Sequence, residues 1–127
     1  MTKLEALTDL LAKVKAGAFD PEPTRPLRWR FNKFAEAYEL AFGLHNRNLE
    51  KVWDAYKGSL DAAMALHEAV LPGRGWFFEA GGTPRMCAGI FHEDVKTPPH
   101  IGKADTPSRA WLVAIIKALI AMEKNDD

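Results

Sequence analysis

The segment Thr106–Met122 constrains this chain more than any other. Thr106 is a favourable N-cap. Pro107 suits the first helical position, where the amide hydrogen that proline lacks would go unbonded anyway. From Ala110 to Met122 only Lys117 is charged. At 3.6 residues per turn, Arg109, Lys117 and Lys124 fall within about a quarter-turn of one another. A helix with so narrow a polar stripe is buried on more than one side. The run is too short, and too interrupted by Lys117, for the ~20 apolar residues that cross a bilayer. The spacing predicts a central core helix, for which the rest of the chain must supply partners.

Those partners can be read in order. Thr2 and Glu5 form a capping-box pattern. Leu4, Leu7, Leu11 and Val14 then repeat at helical spacing, which predicts a helix from Lys3 to Ala16 ended by Gly17. Pro21, Pro23 and Pro26 enforce an irregular connection. Phe31, Phe34, Ala35, Tyr38, Ala41 and Phe42 predict a second helix ending near Gly43. Asn46 or Asn48 caps a short third one holding Leu49, Val52, Trp53 and Tyr56. Gly58-Ser59 reads as a stop followed by a start, and Leu60, Ala63, Met64, His67 and Val70 form one face of the next helix. Pro72-Gly73-Arg74-Gly75 breaks the helical pattern.

Trp76, Phe77 and Phe78 have strand-forming character. Gly81-Gly82-Thr83-Pro84 reads as a hairpin turn, after which Met86, Ala88 and Ile90 alternate as one buried strand face. Val95 to Lys103, with Pro98-Pro99, reads as a loop. The fold class expected is α+β, with helices packed on a small antiparallel hairpin in a single domain spanning residues 1–127. Two strands make a marginal sheet with open edges, so a homo-oligomer, in its simplest form a two-fold dimer, is expected to complete it. The alternative is that the N-terminal helices cover everything within one chain.

Composition narrows the function. Lysine plus arginine equals aspartate plus glutamate at 17 each, so the formal net charge is zero. That disfavours binding to a nucleic-acid duplex, which calls for a basic excess. Cys87 is the single cysteine, and nothing implies an oxidising compartment. Met1-Thr2-Lys3-Leu4-Glu5 lacks the apolar run of a signal peptide. A soluble, cytoplasmic protein with no membrane partner is expected.

No catalytic constellation stands out. His92, Glu93, Asp94 and His100 offer oxygen and nitrogen donors but lack the tight paired spacing of a zinc site, so a polar loop is the better reading and no metal is expected. His67, on an apolar face, reads as a hydrogen-bonded core histidine. Cys87, between Met86 and Ala88, reads as a small buried residue rather than a nucleophile. Pro72-Gly73-Arg74-Gly75 precedes a strand and has no Gly-Lys-Ser/Thr, so it is a turn and not a phosphate loop. Arg25, Arg28 and Arg30 around Trp29 suit base stacking or phosphate contact, but more often such residues form a solvated face.

The most informative local feature is Asp105-Thr106-Pro107-Ser108-Arg109. A helix N-terminus carries unbonded amides and partial positive charge, so a cation in its first turn calls for something negative nearby. Thr106, Ser108 and Arg109 would seat a phosphate; alternatively Asp105 pairs with Arg109 and the arrangement is a cap without a ligand.

The segment Tyr56-Lys57-Gly58-Ser59-Leu60-Asp61-Ala62-Ala63-Met64-Ala65-Leu66 resembles one in small phage proteins described as the phage ABA sandwich domain. Gly75-Trp76-Phe77-Phe78 matches the aromatic strand of that family, and Asp105 to Leu112 the start of its closing helix. The resemblance covers most of the chain from Tyr56 onward. It implies an α-β-α sandwich in a phage or prophage product. Some such proteins look similar to phage Thoeris anti-defence proteins of the sponge type, oligomers that sequester cyclic nucleotide signals without cleaving them. By that resemblance Thr106 and Arg109 would hold phosphate at a site between subunits, with Ser108 beside them. Trp76 or Phe78 would stack on the base, with Arg28 or Arg85 from a neighbouring subunit. Phe77 and Phe91 compete for the aromatic role, and the long insertion between Phe91 and Ala104 departs from the family pattern. No cofactor is implied. A module that inhibits a host protein through the Arg28-Trp29-Arg30 region is the second expectation.

Overall fold

The structure is a computed structural model and describes residues 2–17, 46–82, 85–92 and 96–124. The second predicted helix, the three prolines before it, the Arg25–Arg30 cluster, and Glu93 and Asp94 lie outside the described residues.

The first helix, α1 (Lys3–Ala16), begins as its capping box dictates. Thr2 Oγ1 accepts the Glu5 amide at 3.1 Å and donates to Glu5 Oε1 at 3.2 Å. Gly17 ends the helix in the left-handed region (φ 69°) and donates its amide to the Lys13 and Val14 carbonyls. Helix α2 (Asn46–Lys57) and helix α3 (Leu60–Val70) meet at Gly58-Ser59, where Ser59 Oγ accepts the Ala62 amide. Strands β1 (Trp76–Gly82), β2 (Arg85–Ile90) and β3 (His100–Ala104) follow, and α4 (Pro107–Glu123) closes the chain.

The sheet is antiparallel with order β1-β2-β3. Its third strand corrects the expectation of a loop through Lys103. The alternation of β3 is hidden because its inward position is Gly102, which has no side chain to mark a buried face. That glycine is required by packing: a Cβ there would stand 2.1 Å from the Ala110 carbonyl oxygen and 2.5 Å from the Ala114 nitrogen of α4. The expected hairpin is present as β1 and β2, with Phe77 opposite Gly89 and Phe78 opposite Ala88.

Helix α4 is buried as its composition requires. Ala110 through Ile116, with Ala118 and Leu119, are all within the core. One side covers β2 and β3, and the others meet α1, α2 and α3. Each fully buried isoleucine or leucine there stabilises the fold by about 1.5–3 kcal/mol. Leu7, Leu10 and Val14 of α1, Val52 and Ala55 of α2, and Ala63 and Leu66 of α3 complete the core. Lys117 is only half-buried. Its stem follows the helix while Nζ donates to the Ile101 carbonyl of β3 at 2.7 Å. Among the described residues only α4 packs broadly on the sheet, on the face carrying Ala88, Ile90, Gly102 and Ala104. No helix of the described residues is long and apolar enough to cross a membrane.

Candidate ligand-binding site

The head of α4 is formed as Thr106 and Pro107 predict. Thr106 is extended (φ −122°, ψ 151°); its Oγ1 accepts the Arg109 amide at 3.2 Å and its carbonyl the Ala110 amide at 3.0 Å. Ser108 Oγ lies 3.4 Å from Thr106 Oγ1, and Ser108 is only 1% exposed. The structure thus gathers Thr106, Ser108 and Arg109 at one helix end. The two hydroxyls face each other, and Ser108 points inward.

Arg109 has a partner that sequence reasoning did not find. Its Nε and Nη2 donate to the Tyr56 carbonyl at 3.3 and 3.1 Å, and its guanidinium carbon lies 4.1 Å from the centre of the Tyr56 ring. Tyr56 is in the last turn of α2, where carbonyls carry partial negative charge. A cation that is misplaced at the positive end of α4 is therefore held by the negative end of α2. The signal for Tyr56 is local, since it sits just before Gly58-Ser59, but its meeting with Arg109 depends on tertiary packing. Asp105 makes no ion pair with Arg109, nor does any other carboxylate among the described residues. Two of the five guanidinium donors are used, which leaves three on a half-buried cation of fixed direction.

The candidate aromatics lie elsewhere. Trp76 and Phe78 occupy the helix-facing side of β1 and pack around Trp111, at ring distances of 4.5 and 5.4 Å, with 5.6 Å between them. Trp111 is 2% exposed, whereas Trp76 is 41% exposed. Trp111 is anchored from behind. Its Nε1–H donates to His67 Nδ1 at 3.1 Å, and His67 Nε2 lies 2.7 Å from the Arg74 carbonyl. An indole nitrogen only donates, so Nδ1 accepts, and Nε2 carries the hydrogen given to Arg74. His67 is the hydrogen-bonded core histidine that its position predicts. Phe77 and Phe91 pair on the opposite face of the sheet at 5.1 Å.

Arg109 and Trp111 leave α4 about 200° apart around its axis, since each residue turns the helix by about 100°. The chain does not bring Trp76 or Phe78 together with Arg109 on one side of α4. Arg28 lies outside the described residues, and Arg85 is placed only by its backbone pairing with Gly82.

The remaining chemistry is sparse. His92 and His100 approach to 5.7 Å between rings, yet no group of three or more His, Cys, Asp or Glu able to hold a metal ion occurs among the described residues. Cys87 is half-buried rather than buried, because it sits on the sheet face turned away from α4. Burial lowers the pKa of Lys117 below its ordinary value, the neighbouring Lys15 and Lys103 lower it further, and Cys87 partly opposes them.

No family model matches the chain, and neither a search of curated proteins nor one of solved structures finds a match.

Proposed function

We propose that this chain is a phage-type binding protein that sequesters a small phosphorylated nucleotide signal, cyclic or NAD-derived, in the host cytoplasm without cleaving it. The observation that carries the reading is the guanidinium of Arg109, clamped on Tyr56 at a helix N-terminus with, among the described residues, three donors left and no carboxylate paired with it. A pre-oriented cation of that kind suits bidentate bonding to phosphate. Trp76 supports it. Half-exposed and backed by Trp111, it is a rigid surface on which a base can stack. Because these two groups point to different sides of α4, the ligand is completed between copies, with the phosphate on Thr106 and Arg109 of one copy. The base then lies on Trp76 and Phe78 of another, and Arg28 is a further phosphate contact. This makes the protein a homo-oligomer of α+β domains, without cofactor, metal or catalytic residue.

Calorimetric titration against a panel of cyclic and NAD-derived nucleotides tests this, followed by heat denaturation to recover the ligand. Saturable heat and intact recovered ligand are expected; a hydrolysed product would instead make the protein an enzyme. A second reading has its own observation. Leu60 and Met64, one turn apart on α3, are 44% and 39% exposed, although the sequence groups them on one helical face with the buried Ala63 and His67. A protein-interaction module that inhibits a host protein would use such residues as anchors. A pull-down from host lysate separates the two, since a sponge retains metabolites and an inhibitor retains a protein.

A further inference from the structure

The face of the sheet turned away from α4 carries two cross-strand rows. Antiparallel partners point to the same side of a sheet, so the register places Phe77, Gly89 and Ile101 in one row and Glu79, Cys87 and Lys103 in the next. Phe77 lies over Gly89, where any Cβ would meet its ring at 2.2 Å. Phe91, 49% exposed, extends the apolar row beside Phe77. Glu79 and Lys103 are both exposed, sit on opposite edge strands, and make no ion pair among the described residues. Lys103 and Lys15 both act electrostatically on Lys117, and none of the three makes an ion pair among the described residues.

This pattern is complementary to itself. A two-fold axis lying along β2, between two such faces, carries β1 of one copy over β3 of the other. Glu79 then opposes Lys103 of the second copy, twice by symmetry. Phe77 opposes the second copy's Ile101, and Cys87 opposes its own equivalent. A two-fold axis across the strands gives no such match, since it sets Glu79 over Glu79 and Lys103 over Lys103. We propose that this sheet face is a homodimer interface, in which two copies stack face to face with Glu79 and Lys103 paired reciprocally. The outer strands are only about 10 Å apart. The contact is therefore smaller than the ~800 Å² per partner of a stable complex, and the dimer is concentration-dependent. It uses the face opposite to Trp76 and leaves Arg109 open, so it goes beyond the nucleotide reading and stands or falls separately from it.

Sedimentation of the full chain over a concentration series tests the proposal, with a short bis-maleimide as a second readout through the single cysteine. The expected result is a monomer–dimer equilibrium whose dimer is captured by cross-linking Cys87 to Cys87. Glu79→Lys and Lys103→Glu, each checked for an unchanged melting temperature, should each weaken the dimer at least about tenfold, because like charges then face each other. The double reversal should restore it. A protein that stays monomeric at every concentration, or a dimer indifferent to both single reversals, would overturn the proposal. So would a double reversal that leaves the dimer broken while the protein remains folded.

Discussion

Gly102 shows how one residue sets the distance between layers. Its missing side chain lets β3 touch the backbone of α4 at Ala110 and Ala114. Backbone atoms cannot swing aside as a side-chain tip can, so Gly102→Ala must push strand and helix apart. Overpacking of this kind costs about 1–3 kcal/mol, and urea denaturation should show it as a lowered midpoint. A midpoint equal to that of the unaltered protein would contradict the close approach. At this scale the sequence was legible wherever a residue acts on its own neighbours. Thr2, Ser59 and Thr106 cap as expected because a capping side chain reaches only two or three residues along the chain, and Gly17 does so because its backbone alone turns left-handed. Arg109 was recognised as a misplaced cation, but Tyr56 was not recognised as its partner, since no local pattern connects residues 53 positions apart. Asp105, the sequence-near alternative, is exposed and makes no ion pair with it.

Among the elements, α4 was the most legible and β3 the least, for related reasons. A nearly all-apolar helix announces burial by composition alone. A five-residue strand with glycine at its inward position and lysine at an outward one has no alternation to read. The two elements meet again at Lys117, whose ammonium sits on the Ile101 carbonyl and makes the β3 edge a poor site for strand addition. Its lowered pKa has a consequence for stability. Between that lowered value and 10.5 the unfolded chain binds more protons than the folded one, so stability rises with pH through this alkaline window. Lys117→Met removes the ionisable group, and its melting temperature should lack that contribution. The gap between variant and parent should therefore shift in the parent's favour as pH rises from neutral towards 10.5. A gap that stays constant with pH would show that the ammonium loses nothing on folding.

At the scale of the whole molecule, the described residues form an α+β fold in which one helix serves as the core. The fold class was legible because the patterning of α1, the hairpin and α4 agrees with the tertiary structure. The candidate site was legible only in part. Thr106, Ser108 and Arg109 do assemble, being neighbours in sequence. Trp76 and Phe78 instead surround Trp111, and only the packed structure shows that this lies on a different side of α4 from Arg109. A nucleotide site built from both halves therefore has to be shared between copies, which makes complementation between two defective variants the most direct test. Trp76→Ala removes the stacking surface, and Arg109→Gln removes the charged guanidinium fork at a cost of about 1–2 kcal/mol from its lost hold on Tyr56. Both variants are to be confirmed folded by their melting transitions. Each alone should fail to bind the nucleotide that the unaltered protein binds. Mixed and allowed to exchange subunits, they should regain part of that binding, through sites pairing an intact Trp76 with an intact Arg109. Binding by the unaltered protein that is lost in both variants and never regained on mixing would contradict a shared site, and binding that survives in both would remove these residues from the site altogether.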